Sequence, residues 1–209
     1  MEAVGMKKIK ICGITDIGET ECLNEAGVDY AGFVLFCPKS RRNTEIEKAK
    51  EIMGYLDPQI QTVAVVVEPS EEQLLEIAEA GFDLVQIHGR ILEEVLSQTK
   101  IPVLRAFNVS DLSEFSRFEE MEHVAGYVFD AQKPGSGRVF DWTLLKELPQ
   151  TKKLTFLAGG LDADNVREAL AATKVDGVDT SSGVERAGGA GKDPEKIRSF
   201  VEAVRNIKE

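Results

Sequence analysis

Cysteine and histidine are scarce in this chain, with three of the first and two of the second in 209 residues. Cys12, Cys22 and Cys37 cannot all pair and fit no metal-binding spacing, so free thiols in a reducing cytoplasm are expected. No run approaches the roughly 18 apolar residues of a membrane helix. The start, Met1-Glu2-Ala3-Val4-Gly5, lacks the basic and apolar regions of a signal peptide, and residues 1–6 read as an N-terminal extension. Positive charge is in deficit. With 25 basic against 36 acidic residues, the net charge of -11 repels polyanions. That argues against nucleic acid and against anionic membrane surfaces, but a local site can still hold a small anion. Nucleotide signatures are missing too. No Gly-x-Gly-x-x-Gly follows the first strand-like segment, and the Gly-rich stretch from Arg186 to Lys192 has neither P-loop spacing nor a Ser/Thr after the lysine. That stretch reads as flexible surface.

What is present is an ordinary globular composition, 43% hydrophobic and 29% charged, long enough for one sizeable core over residues 1–209. Strand-like and helix-like segments alternate throughout. Short runs apolar on both faces are expected as strands at 9–12, 30–36, 63–67, 83–87, 103–107, 127–130, 154–158 and 177–179. Helices are expected at about 16–26, 45–55, 70–81, 91–98, 112–121, 143–147, 163–171 and 194–207, with Ser70 as an N-cap before Glu71 and Glu72. Glu25-Ala26-Gly27-Val28-Asp29 is echoed by Glu79-Ala80-Gly81-Phe82-Asp83, each closing a helix on Gly and entering a strand through Asp. The glycine spacing leaves room for about eight strand–helix units, the number that closes a parallel barrel. A doubly wound open sheet is the rival, weakened by the missing Gly fingerprint. The fold expected is a single-domain (β/α)8 TIM barrel.

Chemistry gathers at the strand ends. Cys12 ends the first strand and Asp130 the sixth, where barrel enzymes keep their reacting groups, and one proton acceptor facing one donor suits an isomerase. The seventh strand runs into Gly159-Gly160 and the eighth into Asp179-Thr180-Ser181-Ser182-Gly183. Glycine amides and serine hydroxyls at those two loops suit a phosphate, with a short helix expected after Gly183. Taken alone, Cys12 also fits a small buried hydrophobe. Likewise Arg42 fits a solvated charge beside Arg41, and His88 a hydrogen-bonded structural imidazole.

Several segments taken in order resemble the phosphoribosylanthranilate isomerase family of tryptophan biosynthesis, from Lys10 to about Arg205. They are Lys-Ile-Cys-Gly-Ile-Thr (10–15), Gly-Phe-Val (32–34), Pro-Lys-Ser-Arg-Arg (38–42), Val-Gln-Ile-His-Gly (85–89), Gly-Ser-Gly (135–137), Phe-Asp-Trp (140–142), Ala-Gly-Gly-Leu (158–161), Asn165-Val166, Asp179 with Ser-Ser-Gly-Val-Glu (181–185), and Lys192-Asp193. Three departures are Pro134 before Gly-Ser-Gly, Asn43 after Arg42, and a stretch Leu35-Phe36-Cys37 that is one residue longer than the common pattern.

The resemblance implies an Amadori rearrangement of a phosphorylated aminosugar, with Asp130 as acid and Cys12 as base. Arg42 would grip the anthranilate carboxylate, and His88 would border the substrate. Gly159, Gly160, Ser181, Ser182 and Gly183 would hold the phosphate. Asp179 either orients that loop or caps the helix beyond it. Such chemistry needs no metal, nucleotide or redox cofactor, and no motif for one is present. Assembly as monomer or homodimer stays open. Asp130 must keep a proton in an enclosed site, and Cys12 must be partly thiolate. Other sugar-phosphate barrels fit less well: only His88 and His123 are available for a metal cluster, and only Lys10 lies near a strand end.

Overall fold

A computed structural model describes residues 6–108, 112–130, 150–189 and 191–207. Eight parallel strands close a barrel in chain order. They are β1 Lys8–Cys12, β2 Tyr30–Val34, β3 Gln61–Val67, β4 Leu84–His88, β5 Val103–Asn108, β6 Val124–Asp130, β7 Leu154–Ala158 and β8 Gly177–Thr180. Around them lie α1 Thr20–Ala26, α2 Ile46–Met53, α3 Glu71–Glu79, α4 Glu93–Ser97, α5 Phe115–Glu119, α6 Val166–Ala172 and α7 Pro194–Arg205. The expected helix at 143–147, the Pro134–Arg138 loop, Phe140 and Trp142 lie outside the described residues.

Local sequence explains the boundaries. Ser70 caps α3 through a reciprocal pair with Gln73, and Asp193 accepts from the amides of Glu195 and Lys196 ahead of Pro194 at the first turn of α7. The internal echo has a physical meaning at the bottom of the barrel. Gly27 and Gly81 leave their helices with φ of 65° and 84°, a region open to glycine. The aspartate two residues on then accepts the second amide of the preceding strand. Asp29 takes Ile9 N at 2.9 Å, and Asp83 takes Thr62 N at 2.7 Å. Asp176 repeats the device on Thr155 N at 2.8 Å and adds the Thr155 hydroxyl at 2.7 Å. Each satisfies an amide that the sheet leaves without a partner.

Packing separates the two faces of the barrel. Ile9, Ile11, Phe33, Val66, Ile87, Phe129, Leu157 and Val178 face outward into one continuous core with Leu23, Ile52, Ile77, Phe118, Ile197 and Phe200 from the helices. Each such fully buried side chain contributes roughly 1.5–3 kcal/mol. The inward face carries Tyr30, Val63, Leu104, Val128 and Phe156. Expectation fails here in one respect. The strands are not apolar on both faces, because buried Lys10, Gln86 and Asp179 sit among those residues.

Other departures are local. β2 stops at Val34 rather than Phe36, because Phe36 turns to a φ of 55° and Asn43 forms a bridge with Val34. The Asn43 side chain accepts Cys37 N at 2.7 Å, so two of the divergent positions brace one loop. α4 begins at Glu93 rather than Ile91, since Gly89 has a φ of 73° and Leu92 is still extended. α5 spans only Phe115–Glu119 of the helix expected at 112–121.

Candidate active site

At the C-terminal ends of the strands lies a cavity of about 240 Å³. Cys12, Arg42, His88, Asp130, Gly159, Gly160, Asp179, Ser181 and Ser182 all line it, so the structure gathers nine of the ten residues singled out from sequence. Gly183 is the exception. It packs against the loop after β7, where a Cβ would stand 2.0 Å from the Leu161 carbonyl oxygen. The short helix expected beyond it is a single 3-10 turn, Ser182–Val184, that starts one residue before Gly183. Among the described residues no group of three or more His, Cys, Asp or Glu side chains is placed to hold a metal ion.

Cys12 is held by the β1–β2 ladder, with the next amides, Gly13 N and Ile14 N, donating to Gly32 O at 2.8 and 2.9 Å. Ser181 donates its hydroxyl to the Cys12 carbonyl at 2.8 Å, tying the end of β1 to the loop after β8. The thiol is buried, and burial pushes it above the ordinary cysteine range; Lys10 opposes this, Asp179 adds to it and Lys192 opposes it. The expected drift toward thiolate is therefore outweighed by burial. Gly32 leaves space for the thiol, since a Cβ there would lie 3.0 Å from Cys12 Sγ.

Asp179 does not cap the following turn, which has no side-chain cap. Instead it meets Lys10 Nζ at 2.8 Å inside the barrel, where Lys10 and Asp179 are register partners. Its other carboxylate oxygen, Oδ1, is buried without a hydrogen bond. Sequence reading missed this pair because a lysine inside a barrel has no periodic signature. The one available cue was that Lys10 shares its strand face with Cys12 at a spacing of two.

Arg42 reaches the cavity from the loop after β2. Its Nε donates to Glu185 Oε1 at 2.6 Å, and Arg41 Nη2 holds the other carboxylate oxygen. Lys192 Nζ stands 3.5 Å from Glu185 and donates to the Ser181 carbonyl at 3.1 Å. Burial would raise the Glu185 carboxyl, but the Arg42 hydrogen bond and the charges of Lys192, Arg42 and Arg41 hold it below the ordinary value. Surface placement of the Arg186–Lys192 stretch is correct for exposed Arg186, Ala187 and Gly188 and wrong for Lys192, which is 1% exposed. The reason is an antiparallel bridge, Glu185 to Lys192, that turns the lysine inward.

His88 Nε2 stands 2.8 Å from the Gln86 side-chain amide. Burial, with Lys10 and Arg105 adding to it, lowers its pKa from 6.5 to about 4, so the imidazole is neutral at physiological pH. Cys22 in α1 donates to Glu19 O just ahead of that helix, away from the cavity.

A closed (β/α)8 barrel with a thiol, a carboxyl group and glycine-bearing loops at its C-terminal mouth is the architecture of a barrel enzyme. The family model described as N-(5′-phosphoribosyl)anthranilate (PRA) isomerase matches residues 9–203, and the chain belongs to that family. The N-(5′-phosphoribosyl)anthranilate isomerase of Streptococcus gordonii is 41% identical over 203 residues, covering 96% of this chain and 99% of the relative. The crystal structure of phosphoribosyl anthranilate isomerase from Thermotoga maritima superimposes with a TM-score of 0.85 at 33% identity, covering 97% of this chain and 100% of the other. A phosphoribosyl anthranilate isomerase in complex with reduced 1-(o-carboxyphenylamino)-1-deoxyribulose 5-phosphate gives a TM-score of 0.80 at 31% identity, covering 97% and 100%.

Proposed function

We propose that this chain converts N-(5′-phosphoribosyl)anthranilate to 1-(2-carboxyphenylamino)-1-deoxyribulose 5-phosphate, with Asp130 as general acid and Cys12 as general base. The observation that carries this reading is that Cys12 and Asp130, from β1 and β6, line one small cavity between Arg42 and the Gly159-Gly160 loop. Asp130 gives its proton to the furanose ring oxygen. The bond from that oxygen to C1′ breaks, and the anthranilate nitrogen lone pair forms the iminium. Cys12, as thiolate, removes the proton from C2′, and the C–H electrons become the C1′–C2′ double bond of an enolamine. The enolamine then tautomerises to the ketone, C1′ gaining a proton and the C2′ hydroxyl losing one. Acid and base therefore act in turn on adjacent parts of one substrate, as general acid–base catalysis requires.

The substrate carries an anion at each end. Amides at Gly159 and Gly160 and the hydroxyl at Ser182 supply donors for the phosphate beside Ser181, whose own hydroxyl is held by the Cys12 carbonyl, and the Arg42 guanidinium supplies donors for the aromatic carboxylate. Three unpaired thiols fit a reducing cytoplasm as the place of reaction. Carbon NMR of the incubated substrate tests the proposal. The anomeric C1′ signal should vanish as a C2′ ketone signal appears, with no change in mass. Persistence of the anomeric signal at the rate of the protein-free control would refute it.

A further inference from the structure

Lys10 is the least expected residue in the barrel. It is fully buried, with the Asp179 carboxylate 2.8 Å from its ammonium. A buried ion pair is a poor source of stability, since desolvation offsets its attraction and apolar residues of similar size do as well. Much of the rest of the inward face is built in that apolar way, by Val63, Leu104 and Phe156. The pair therefore calls for a reason other than stability.

Its position supplies one. A Cβ on Gly32 would stand 3.0 Å from Cys12 Sγ and 3.1 Å from Lys10 Nζ, so thiol and ammonium border the same point with no side chain between them. Glycine inside a strand is otherwise unfavourable, and here it keeps that space open. Asp179 fixes the ammonium from the far side, and the adjacent register of Lys10 and Asp179 leaves it little freedom.

We propose that Lys10 is a positioning residue for proton abstraction, its ammonium being the counter-ion that makes the Cys12 thiolate attainable inside the barrel. The inference rests on Cys12 as the base. Among the other groups around the thiol, Asp179 on β8 opposes the thiolate and Lys192, beyond β8, favours it. Arg42 from the loop after β2, His88 on β4 and Asp130 on β6 share its cavity. Arg42 already has Glu185, and His88 is neutral. Lys10 is thus the buried cation beside the sulfur, and Lys192 turns to Ser181 and Glu185.

The test is the rate of Cys12 alkylation by iodoacetamide as a function of pH, in full-length protein carrying Cys22→Ala and Cys37→Ser so that one thiol reports. Lys10→Met should move the curve to higher pH, and alkylation at neutral pH should slow by about tenfold for every pH unit that the midpoint rises. Asp179→Asn should move it the opposite way, because an opposing charge is removed while the ammonium stays. Lys10→Arg should restore much of the parent curve. In turnover, Lys10→Met should lower kcat with little change in KM, and raising the pH should recover kcat. If Lys10→Met does not fold, the Asp179→Asn curve reads the same field from the other side. Curves of folded variants that coincide with the parent, or that move in the same direction, would overturn the proposal. Retained turnover in Cys12→Ala would instead overturn Cys12 as base and leave the alkylation result standing.

Discussion

Glu185 sets how firmly Arg42 is aimed, and Glu185→Gln measures it. The carboxylate is buried, takes Arg42 Nε at 2.6 Å and stands 3.5 Å from Lys192 Nζ. Glutamine keeps the shape and one acceptor oxygen while removing the charge. Hydrogen bonds involving a charged partner contribute about 1.5–3 kcal/mol and neutral ones about 0.5–1.5 kcal/mol, so each charged contact loses roughly 1 kcal/mol. The Arg41 side chain is 56% exposed, and its contact adds little. Arg42 and Lys192 together then lose roughly 2 kcal/mol. If half of that is spent in loosening the Arg42 fork, KM rises by about fivefold at nearly constant kcat. The other half lowers Tm by about 2–4 °C.

Initial rates from the fall in anthranilate fluorescence, over a range of substrate concentrations, give both constants, and circular dichroism gives Tm. Adding Glu185→Gln to Arg42→Ala should raise KM no further, because the two act through one contact. An additive effect, or a loss confined to kcat, would show that Glu185 does not act through Arg42.

Four further outcomes follow from the geometry. Arg42→Ala should raise KM through lost carboxylate binding, and an unchanged KM would sink that role. Gly32→Ala should depress kcat, since its methyl would crowd Cys12 Sγ at 3.0 Å; wild-type turnover in a folded variant would contradict this. Asp176→Ala removes the acceptor for two Thr155 donors and should cost about 1–3 kcal/mol by denaturant unfolding with activity retained, whereas no loss of stability would discount the strand-start clamp. His88 has a folded pKa of about 4 against 6.5 unfolded. Its contribution to stability is complete above the unfolded value and fades as pH falls toward the folded one. Proton NMR should accordingly find no His88 titration near pH 6.5, and a midpoint there would refute the neutral, buried imidazole.

Much of this molecule is legible in its residues because the signals are local. Gly27 and Gly81 end helices, Ser70 caps one, and short apolar runs such as Val63–Val66 are buried. The strand ends then follow, and with them the gathering of Cys12, Asp130 and the Gly159-Gly160 loop. Less legible are residues whose role depends on contacts distant in sequence. Lys10 meets Asp179 across 169 positions, and Glu185 meets Arg42 across 143. Lys192 is turned inward by a bridge that no periodicity announces. Charged side chains give a sequence reader solvation as the default, and only tertiary packing overrides it.

Isomerisation by the Asp130 and Cys12 pair is read out by the decay of anthranilate-type fluorescence when the purified protein meets freshly made phosphoribosylanthranilate. Rapid decay in the native protein, lost in both Asp130→Asn and Cys12→Ala while both still bind a reduced product analogue, is the predicted result. Decay at only the spontaneous rate, or undiminished decay in either variant, would contradict it.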